Sequence, residues 1–221
     1  MTPYFETVKS FADVPLTSEG VETASFLEAS DGLVQMFGED LLDGFDETED
    51  LRGFDAGPFD LLGSGVFGFV QTDIRNNING VRVRYEIAKD KSGTLENLVR
   101  SESTEREGER NATPCLVRLL RGLSFTCKAL QNMQRDRSTE LHVCFKRSYD
   151  EVLRHHHTFI IRSVVAVAIR AVPRRDDFYA KISQGGSIPK LDLEMAKWLE
   201  ALERIVTHMS AFLAQGGYGR V

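Results

Sequence analysis

Residues 114–133 of the chain read PCLVRLLRGLSFTCKALQNM and set the expectation for the whole fold. Apolar side chains recur here every three or four positions, the spacing at which residues share one face of an α-helix. Thr113 and Pro114 add a start signal, because a hydroxyl can cap the first amides and proline loses no hydrogen bond at the first helical position. The stretch therefore predicts an amphipathic helix from Pro114 to about Met133, with Thr113 as its N-cap.

The same helical spacing continues on both sides of this stretch. Residues 158–172 are rich in β-branched side chains, but their length favours a nearly buried helix that ends at Pro173. No strand–turn–strand pattern is found, so the predicted fold class is all-α with seven or eight helices. The other helices are expected at about residues 21–37, 59–85, 94–110, 138–153, 176–183 and 191–213.

Length and composition exclude two classes of protein. A chain of 221 residues should bury roughly 70% of its extended surface, which is enough for one hydrophobic core. The longest strongly apolar stretch, Val164–Ile169, is far shorter than the roughly 20 residues of a membrane span. The first 20 residues lack the order of a signal peptide, and the three cysteines form no CxxC pair. We therefore expect a cytoplasmic protein, and neither a disulfide scaffold nor an integral membrane protein.

The net charge of −6 is unevenly distributed. Nine acidic residues lie between Glu39 and Asp60 against a single base, Arg52. Without that segment the 33 acids fall to 24 and the 27 bases to 26, so the remaining chain carries a charge of +2 and can approach an anionic surface. We predict a flexible tail at residues 1–20 and one domain at 21–221, with an acidic loop insertion at about 39–60.

Three consecutive histidines, His155 to His157, suggest a metal or catalytic cluster at first sight. Neighbouring residues of a helix point about 100° apart, so the three rings cannot converge on one ion. No HExxH spacing accompanies them. A surface run is favoured, followed by a single buried histidine and then by a metal site in a helical hydrolase. We expect no metal and no cofactor.

Two pairs of polar residues lie on otherwise apolar helical faces. Asp73 and Asn77 are four positions apart, and a carboxylate on such a face is either exposed, paired with an arginine or in contact with a ligand. Arg118 and Arg121 lie three positions apart among leucines. Two guanidinium groups beside an apolar patch suit a phosphate or carboxylate joined to a hydrocarbon, although both side chains could simply extend to solvent.

Four segments in a fixed order resemble the glycolipid transfer protein superfamily. The resemblance covers roughly residues 22–215 and implies a two-layer all-α sandwich that encloses one sphingolipid. The lipid chains would lie in an apolar pocket, with the headgroup at the surface. The segments are LGSGVFGFVQTDIRNN at 62–77, RLLRGLSF at 118–125, Tyr149 followed by HTFII at 157–161, and AVP at 171–173 followed by Asp177 and Phe178.

The resemblance assigns roles to four residues of this chain. Asp73 would accept a hydrogen bond from the ceramide amide N–H, and His157 would donate one to the acyl carbonyl. An amide offers one donor and one acceptor, so reading both rejects lipids that lack it. Phe125 would line the chain pocket, and Phe159 takes a position where an aromatic side chain helps to dock the protein on a bilayer.

The resemblance gives mixed signals about the headgroup. Arg118 replaces the tryptophan of glycolipid-selective members and, with Arg121, resembles the ceramide-1-phosphate transfer branch. Asn77 matches the glycolipid branch, whereas the phosphate branch has lysine there and an arginine at the position of Pro114. The glycolipid branch also has lysine at the position where this chain has Gly80, which counts against a sugar. On balance a phosphate headgroup held by Asn77, Arg118 and Arg121 is favoured over a sugar.

The sequence therefore predicts a monomeric, non-enzymatic carrier of ceramide-1-phosphate-type sphingolipids. It would contact membrane surfaces transiently and would not bind nucleic acid. Two alternatives stay open. One is a glycosphingolipid carrier, and the other is a lipid sensor or interaction module that uses the same pocket, with the acidic insertion as its partner-binding feature.

Overall fold

The structure, a computed structural model, describes residues 2–36, 65–106 and 109–221, with the backbone alone for residues 65–71. The acidic insertion predicted at about 39–60 lies outside these residues. The described ranges are dominated by α-helices, which confirms the predicted fold class. These helices are α1 Thr23–Met36, α2 Gly65–Ile87, α3 Leu95–Ser103, α4 Ala112–Arg135, α5 Leu141–Val152, α6 Phe159–Arg170, α7 Arg175–Ser183 and α8 Ile188–Gly216.

A small hairpin precedes the first helix. Strands β1 (Leu16–Thr17) and β2 (Gly20–Val21) pair in antiparallel fashion. The expectation that the chain contains no strand–turn–strand unit is therefore wrong. Strands of two residues are too short to show the alternation by which a strand is found in a sequence. Gly20 has a φ of +131°, a conformation that glycine adopts readily and other residues do not.

The segment before this hairpin packs into the core. The side chains of Phe5, Phe11 and Val14 are buried. Both phenylalanine rings meet the indole of Trp198 on α8, with ring centroids 5.4 Å apart for Phe5 and 4.9 Å apart for Phe11. The prediction of a flexible tail is thus wrong for residues 2–20. The apolar side chains of residues 2–20 follow neither a helical nor a strand period, so only their contact with α8 shows that they are buried.

Helix α4 lies at the centre of the molecule. It contacts α2, α5 and α8, while α1 and α6 contact α2. The helices form a two-layer arrangement in which α6 contacts both α2 and α5. Leu116 and Leu120 of α4 are fully buried. The consequence for function is that polar residues of α2 and α4 lie side by side.

The start of α4 differs from the sequence-based expectation. The helix begins at Ala112, so Thr113 is an internal residue and its prediction as the N-cap is wrong. The buried carboxylate of Glu102 instead accepts the amide N–H groups of Asn111, Ala112 and Thr113 at 2.6–2.7 Å, together with the Thr113 hydroxyl. Burial opposes ionisation, but these hydrogen bonds hold the pKa of Glu102 below its usual value.

Helix α6 is much less buried than predicted. Ala168 and Ile169 are buried at its end, whereas Phe159 is 82% exposed and Ile160 is 75% exposed at its start. The expectation of a nearly buried helix is wrong at this end, because no other described segment covers the first turn. An apolar helix start is left open to solvent.

Candidate functional site

Asp73 and Asn77 form a hydrogen-bonded pair on α2. Asn77 is only 6% exposed, and its Nδ2 donates to the backbone carbonyl of Asp73 at 2.8 Å and to the carboxylate Oδ2 at 3.1 Å. The Asp73 side chain is itself exposed. Asn77 therefore fixes the orientation of the carboxylate, and no described residue donates to the other carboxylate oxygen, Oδ1.

His157 follows a single 3₁₀ turn, Arg154–His156, which ends the α5 region. Its Nδ1 lies 3.2 Å from the hydroxyl of Tyr149 on α5. Burial lowers the pKa of His157, and the charges of Arg121 and Arg162 lower it further, while Asp73 partly opposes this change. The ring is therefore neutral near pH 7. If the Tyr149 hydroxyl donates to Nδ1, the proton is on Nε2, which can then donate to a carbonyl.

Electrostatic interactions show that the predicted site residues lie together. The charge of Asp73 tends to raise the pKa values of both His157 and the thiol of Cys115. The charge of Arg118 lowers the pKa values of Cys115 and Arg121, and the charge of Arg121 lowers the pKa of His157. Residues from α2, α4 and the loop before α6 thus lie near one another, although they are distant in sequence.

Helices α2 and α4 approach each other closely at Gly80. A Cβ atom at this position would lie 2.5 Å from Sγ of the buried Cys115. A larger residue would push the two helices apart, so glycine is required by the packing. Gly80 consequently contributes no side chain to the site.

An open cavity of about 290 Å³ lies beside Arg118. Its volume is similar to that of the smallest ligand pockets, roughly 300 Å³. The Arg118 side chain is exposed and forms no ion pair with any carboxylate in the described part of the chain. The cavity is lined by Pro114, Val117, Arg118, Arg121, Tyr218 and Gly219.

Arg121 is held by the segment that follows α8. Its Nε and Nη2 donate to the backbone carbonyl of Arg220 at 2.9 and 2.5 Å. The chain turns back at Gly217, whose φ of +68° is left-handed, and the Tyr218 ring packs on Phe212. The sequence predicts that this helix ends near residue 213, but no local pattern indicated that the following residues reach α4.

The three histidines have different environments. His155 is exposed, while His156 and His157 are half-buried. Nε2 of His156 is buried without a hydrogen-bond partner among the described residues, and burial together with Arg121 lowers its pKa. The favoured interpretation as a surface run is therefore correct only for His155. Among the described residues, no group of three or more side chains could hold a metal ion.

The two predicted aromatic residues lie in contrasting surroundings. Phe125 is half-buried on α4, with its ring 5.5 Å from that of Phe145 and 6.5 Å from that of Tyr149, both in edge-on contact. Phe159 is exposed two residues beyond His157. The role of Phe125 in a chain pocket and that of Phe159 at a membrane stay predictions. No helix in the described ranges is both long enough and apolar enough to span a bilayer.

The helical fold, in which polar residues of α2 and α4 lie side by side, matches that of a known protein family. The glycolipid transfer protein family model matches residues 21–184, and the chain belongs to this family. A protein of Aureobasidium melanogenum named glycolipid transfer protein is 35% identical over 212 residues, covering 96% of this chain and 92% of the relative.

Solved structures show the same fold. The crystal structure of HET-C2, a fungal glycolipid transfer protein, superposes with a TM-score of 0.78 at 35% identity and covers 96% of each chain. Human ceramide-1-phosphate transfer protein, solved in complex with 12:0 ceramide-1-phosphate, superposes with a TM-score of 0.75 at 15% identity. That match covers 99% of this chain and 98% of the human one, and at this identity it shows the fold alone.

Proposed function

We propose that the protein is a non-enzymatic, monomeric carrier that takes one sphingolipid out of a membrane and delivers it to another. The observation that carries this proposal is the proximity of Asp73 to the neutral imidazole of His157. A carboxylate acceptor and an imidazole donor are the two partners that a secondary amide requires. The name of the fungal relative that is 35% identical agrees with a lipid-transfer role.

The ceramide amide is the group that this pair recognises. Its N–H donates to the Asp73 oxygen that Asn77 leaves open, and its acyl carbonyl accepts from His157. A glycerolipid has no amide N–H, so it would leave the carboxylate without its partner. An unpaired group of this kind costs about 1–3 kcal/mol, which favours sphingolipids over the more abundant glycerolipids.

Arg118 favours an anionic headgroup of the ceramide-1-phosphate type. It is exposed at the cavity and has no ion-pair partner in the described residues. A guanidinium group in this position forms strong charge-assisted hydrogen bonds with a phosphate. A glycosphingolipid is the second candidate, because the Asp73–Asn77 pair offers hydrogen-bonding groups suited to sugar hydroxyls.

Hydrophobic burial supplies the affinity for the lipid chains. Each buried CH₂ group contributes about 0.8 kcal/mol, which offsets the cost of leaving the bilayer. Phe125 packs edge-on against Phe145 and Tyr149 between α4 and α5. These rings separate when a lipid chain enters, so that Phe125 comes to line the chain pocket.

The exposed start of α6 forms the membrane contact. Phe159 and Ile160 place two large apolar side chains at the surface, with Arg154 and Arg162 beside them. Apolar side chains enter the acyl boundary, while arginines interact with anionic lipid headgroups. His157 lies directly before this helix, so docking brings the membrane close to the amide-binding pair.

Transfer between vesicles tests the proposal. The wild-type protein should move fluorescent ceramide-1-phosphate, galactosylceramide or both between phosphatidylcholine vesicles. The Asp73→Val variant should lose at least about tenfold in rate, since a charged hydrogen-bond partner of the amide is removed. Glu86→Val, on the same helix but outside the site, should transfer as the wild type does. Unchanged transfer by Asp73→Val would contradict the assignment of the site.

A further inference from the structure

We propose that the turn before α6 makes membrane binding depend on pH, so that the protein binds anionic membranes more tightly in acidic surroundings. His155 is the residue that responds to pH, because it gains a positive charge beside the anionic headgroups. The inference rests on the membrane contact of the proposed carrier function. It adds which membranes are favoured and under which condition.

The chain around α6 is rich in basic residues and contains no acid. Residues 152–175 include five arginines and three histidines but neither aspartate nor glutamate. The same segment contains the exposed apolar start of α6. Apolar side chains and positive charges together are the features by which a protein surface binds an anionic bilayer. Four of the five arginines are exposed, namely Arg154, Arg162, Arg170 and Arg174.

The turn Arg154–His156 is tied to the start of α6. Nε of Arg162 on this helix donates to the backbone carbonyl of Arg154 at 3.0 Å. His155 precedes Phe159 by four residues, which span at most about 14 Å even in an extended chain. When Phe159 enters a bilayer, His155 is therefore brought to the level of the lipid headgroups.

The ion pairs of this surface leave it weakly positive. Arg154 pairs with Asp150 of α5 at 3.2 Å, but Asp150 also binds Lys146 at 2.7 Å. One carboxylate thus neutralises only one of two cations. In the described part of the chain, Arg162 forms no ion pair with a carboxylate. An additional positive charge on the turn is therefore not cancelled by a neighbouring acid.

The three histidines of this region differ in burial. Burial lowers the pKa of His156, and the charge of Arg121 on α4 lowers it further. Burial also lowers the pKa of His157. These two rings therefore gain a charge only at a lower pH than an ordinary histidine. His155 is exposed, with its ring centroid 4.0 Å from that of His156, and it can take up a proton while it stays hydrated.

Proton uptake by His155 and membrane binding reinforce each other. Histidine side chains gain their charge between about pH 8 and pH 5. One basic side chain close to an anionic bilayer strengthens binding about fivefold. The coupling is reciprocal, because the negative potential of the membrane in turn favours the imidazolium form. A neutral bilayer lacks this potential, so only membranes that are both anionic and in acidic surroundings are favoured.

Sedimentation with vesicles tests the proposal. Vesicles of equal parts phosphatidylcholine and phosphatidylglycerol are compared with pure phosphatidylcholine vesicles at one ionic strength. The phosphodiester of phosphatidylglycerol keeps its single charge over the pH range used. From about pH 7.5 to about pH 5.5 the wild-type protein should bind the anionic vesicles about fivefold more tightly and the neutral vesicles no more tightly. Far-UV circular dichroism at both pH values checks that the helices are intact.

Three variants isolate the role of His155. His155→Gln should bind as the wild type does at neutral pH and should not bind more tightly in acid. His155→Lys carries its charge at both pH values, so at neutral pH it should already bind about fivefold more tightly than the wild type. This comparison needs no acidic sample and decides even if acid unfolds the protein. His142→Gln, which changes an exposed histidine of α5 outside the turn, should keep the full pH dependence.

The outcomes distinguish this inference from the proposed function. If the wild type binds anionic vesicles equally at both pH values, or if His155→Gln keeps the acid effect, the inference is overturned and the carrier function stands. An equal acid effect on neutral vesicles would also overturn it, because the effect would then not depend on the anionic headgroups. If the protein binds no vesicle at either pH, the membrane contact of the proposed function fails together with the inference. An acid effect that is confined to anionic vesicles and lost in His155→Gln would support the proposal.

Discussion

The carboxylate of Asp73 has two oxygens, and Asn77 binds only one of them. The hydrogen bond holds the side chain in one orientation before a ligand arrives. His157 is held in a similar way by the hydroxyl of Tyr149. Both of the proposed amide-binding groups are thus oriented by a neighbour on an adjacent turn or helix, which lowers the entropy that a bound ceramide would have to offset under the proposal.

His157 makes folding stability depend on pH. Burial lowers the pKa of His157 in the folded state, so between its folded and its ordinary pKa the unfolded chain binds more protons. Stability should therefore be complete above the ordinary histidine pKa of about 6.5 and decrease as pH falls through that value. In thermal unfolding at several pH values, Tm should decrease less at acidic pH for His157→Gln than for the wild type.

The groups around His157 set the controls for this measurement. Asp73 and Tyr149 face it from α2 and α5, and Arg121 and Arg162 face it from α4 and α6. Replacing the exposed His155 by glutamine should leave the pH dependence of unfolding as it is in the wild type. An identical pH profile for His157→Gln would refute the prediction, since Gln cannot titrate.

The start of α4 depends on a carboxylate contributed by α3. Glu102 accepts hydrogen bonds from three amides and one hydroxyl at the positive end of the helix. Glu102→Ala removes all four acceptor contacts and leaves the buried amides unsatisfied. We expect a loss of about 2–4 kcal/mol in the free energy of unfolding, measured by chemical denaturation. The nearby exposed Glu109→Ala should change stability by less than about 0.5 kcal/mol, and an equal effect of both substitutions would argue against capping.

Helix α6 allows a direct test of membrane contact. Burying a phenylalanine side chain contributes about 1.5–3 kcal/mol, so Phe159→Ala should weaken binding to anionic vesicles about tenfold or more in a sedimentation assay. Leu193→Ala is a suitable control because Leu193 is 55% exposed but lies on α8. Equal weakening by the two variants would mean that the contact is not specific to α6.

Some helices and their ends could be predicted and others could not. The period of apolar residues places α4 and α8 correctly, because these helices bury one continuous face. The cap at Glu102 and the contact of Arg121 with Arg220 escape prediction, since each joins residues that no local pattern relates. The start of α6 was wrongly predicted to be buried, because an apolar run in a sequence normally indicates burial.

The proposed amide-binding residues, Asp73 and His157, could be selected only through ordered sequence motifs. Helical spacing alone left Asp73 as an exposed or paired carboxylate, and it left three histidines without distinction. Motif order selected His157, and the structure places it within electrostatic range of Asp73. The partners that orient the pair, Asn77 and Tyr149, become evident from their hydrogen bonds.

The amino-terminal segment joins the two ends of the chain into one core. Phe11 is fully buried against Trp198 of α8 and also lies 6.1 Å from the ring of Phe26 on α1. Phe11→Ala should therefore lower the free energy of unfolding by about 3–5 kcal/mol, measured as a decrease in Tm or in denaturant midpoint. Asp13→Asn, an exposed change two residues away, should have almost no effect. A small effect of Phe11→Ala would indicate that the segment is not part of the cooperative core.

Trp198 is the one tryptophan of the chain, and its ring contacts are with Phe5 and Phe11. The protein therefore contains an intrinsic fluorophore whose emission reports on the docking of the amino-terminal segment. Undocking would expose the indole to water and shift its emission to longer wavelengths. Each variant described above can be checked for an intact core by this signal, without a label and in the same cuvette as a transfer assay that uses a visible dye.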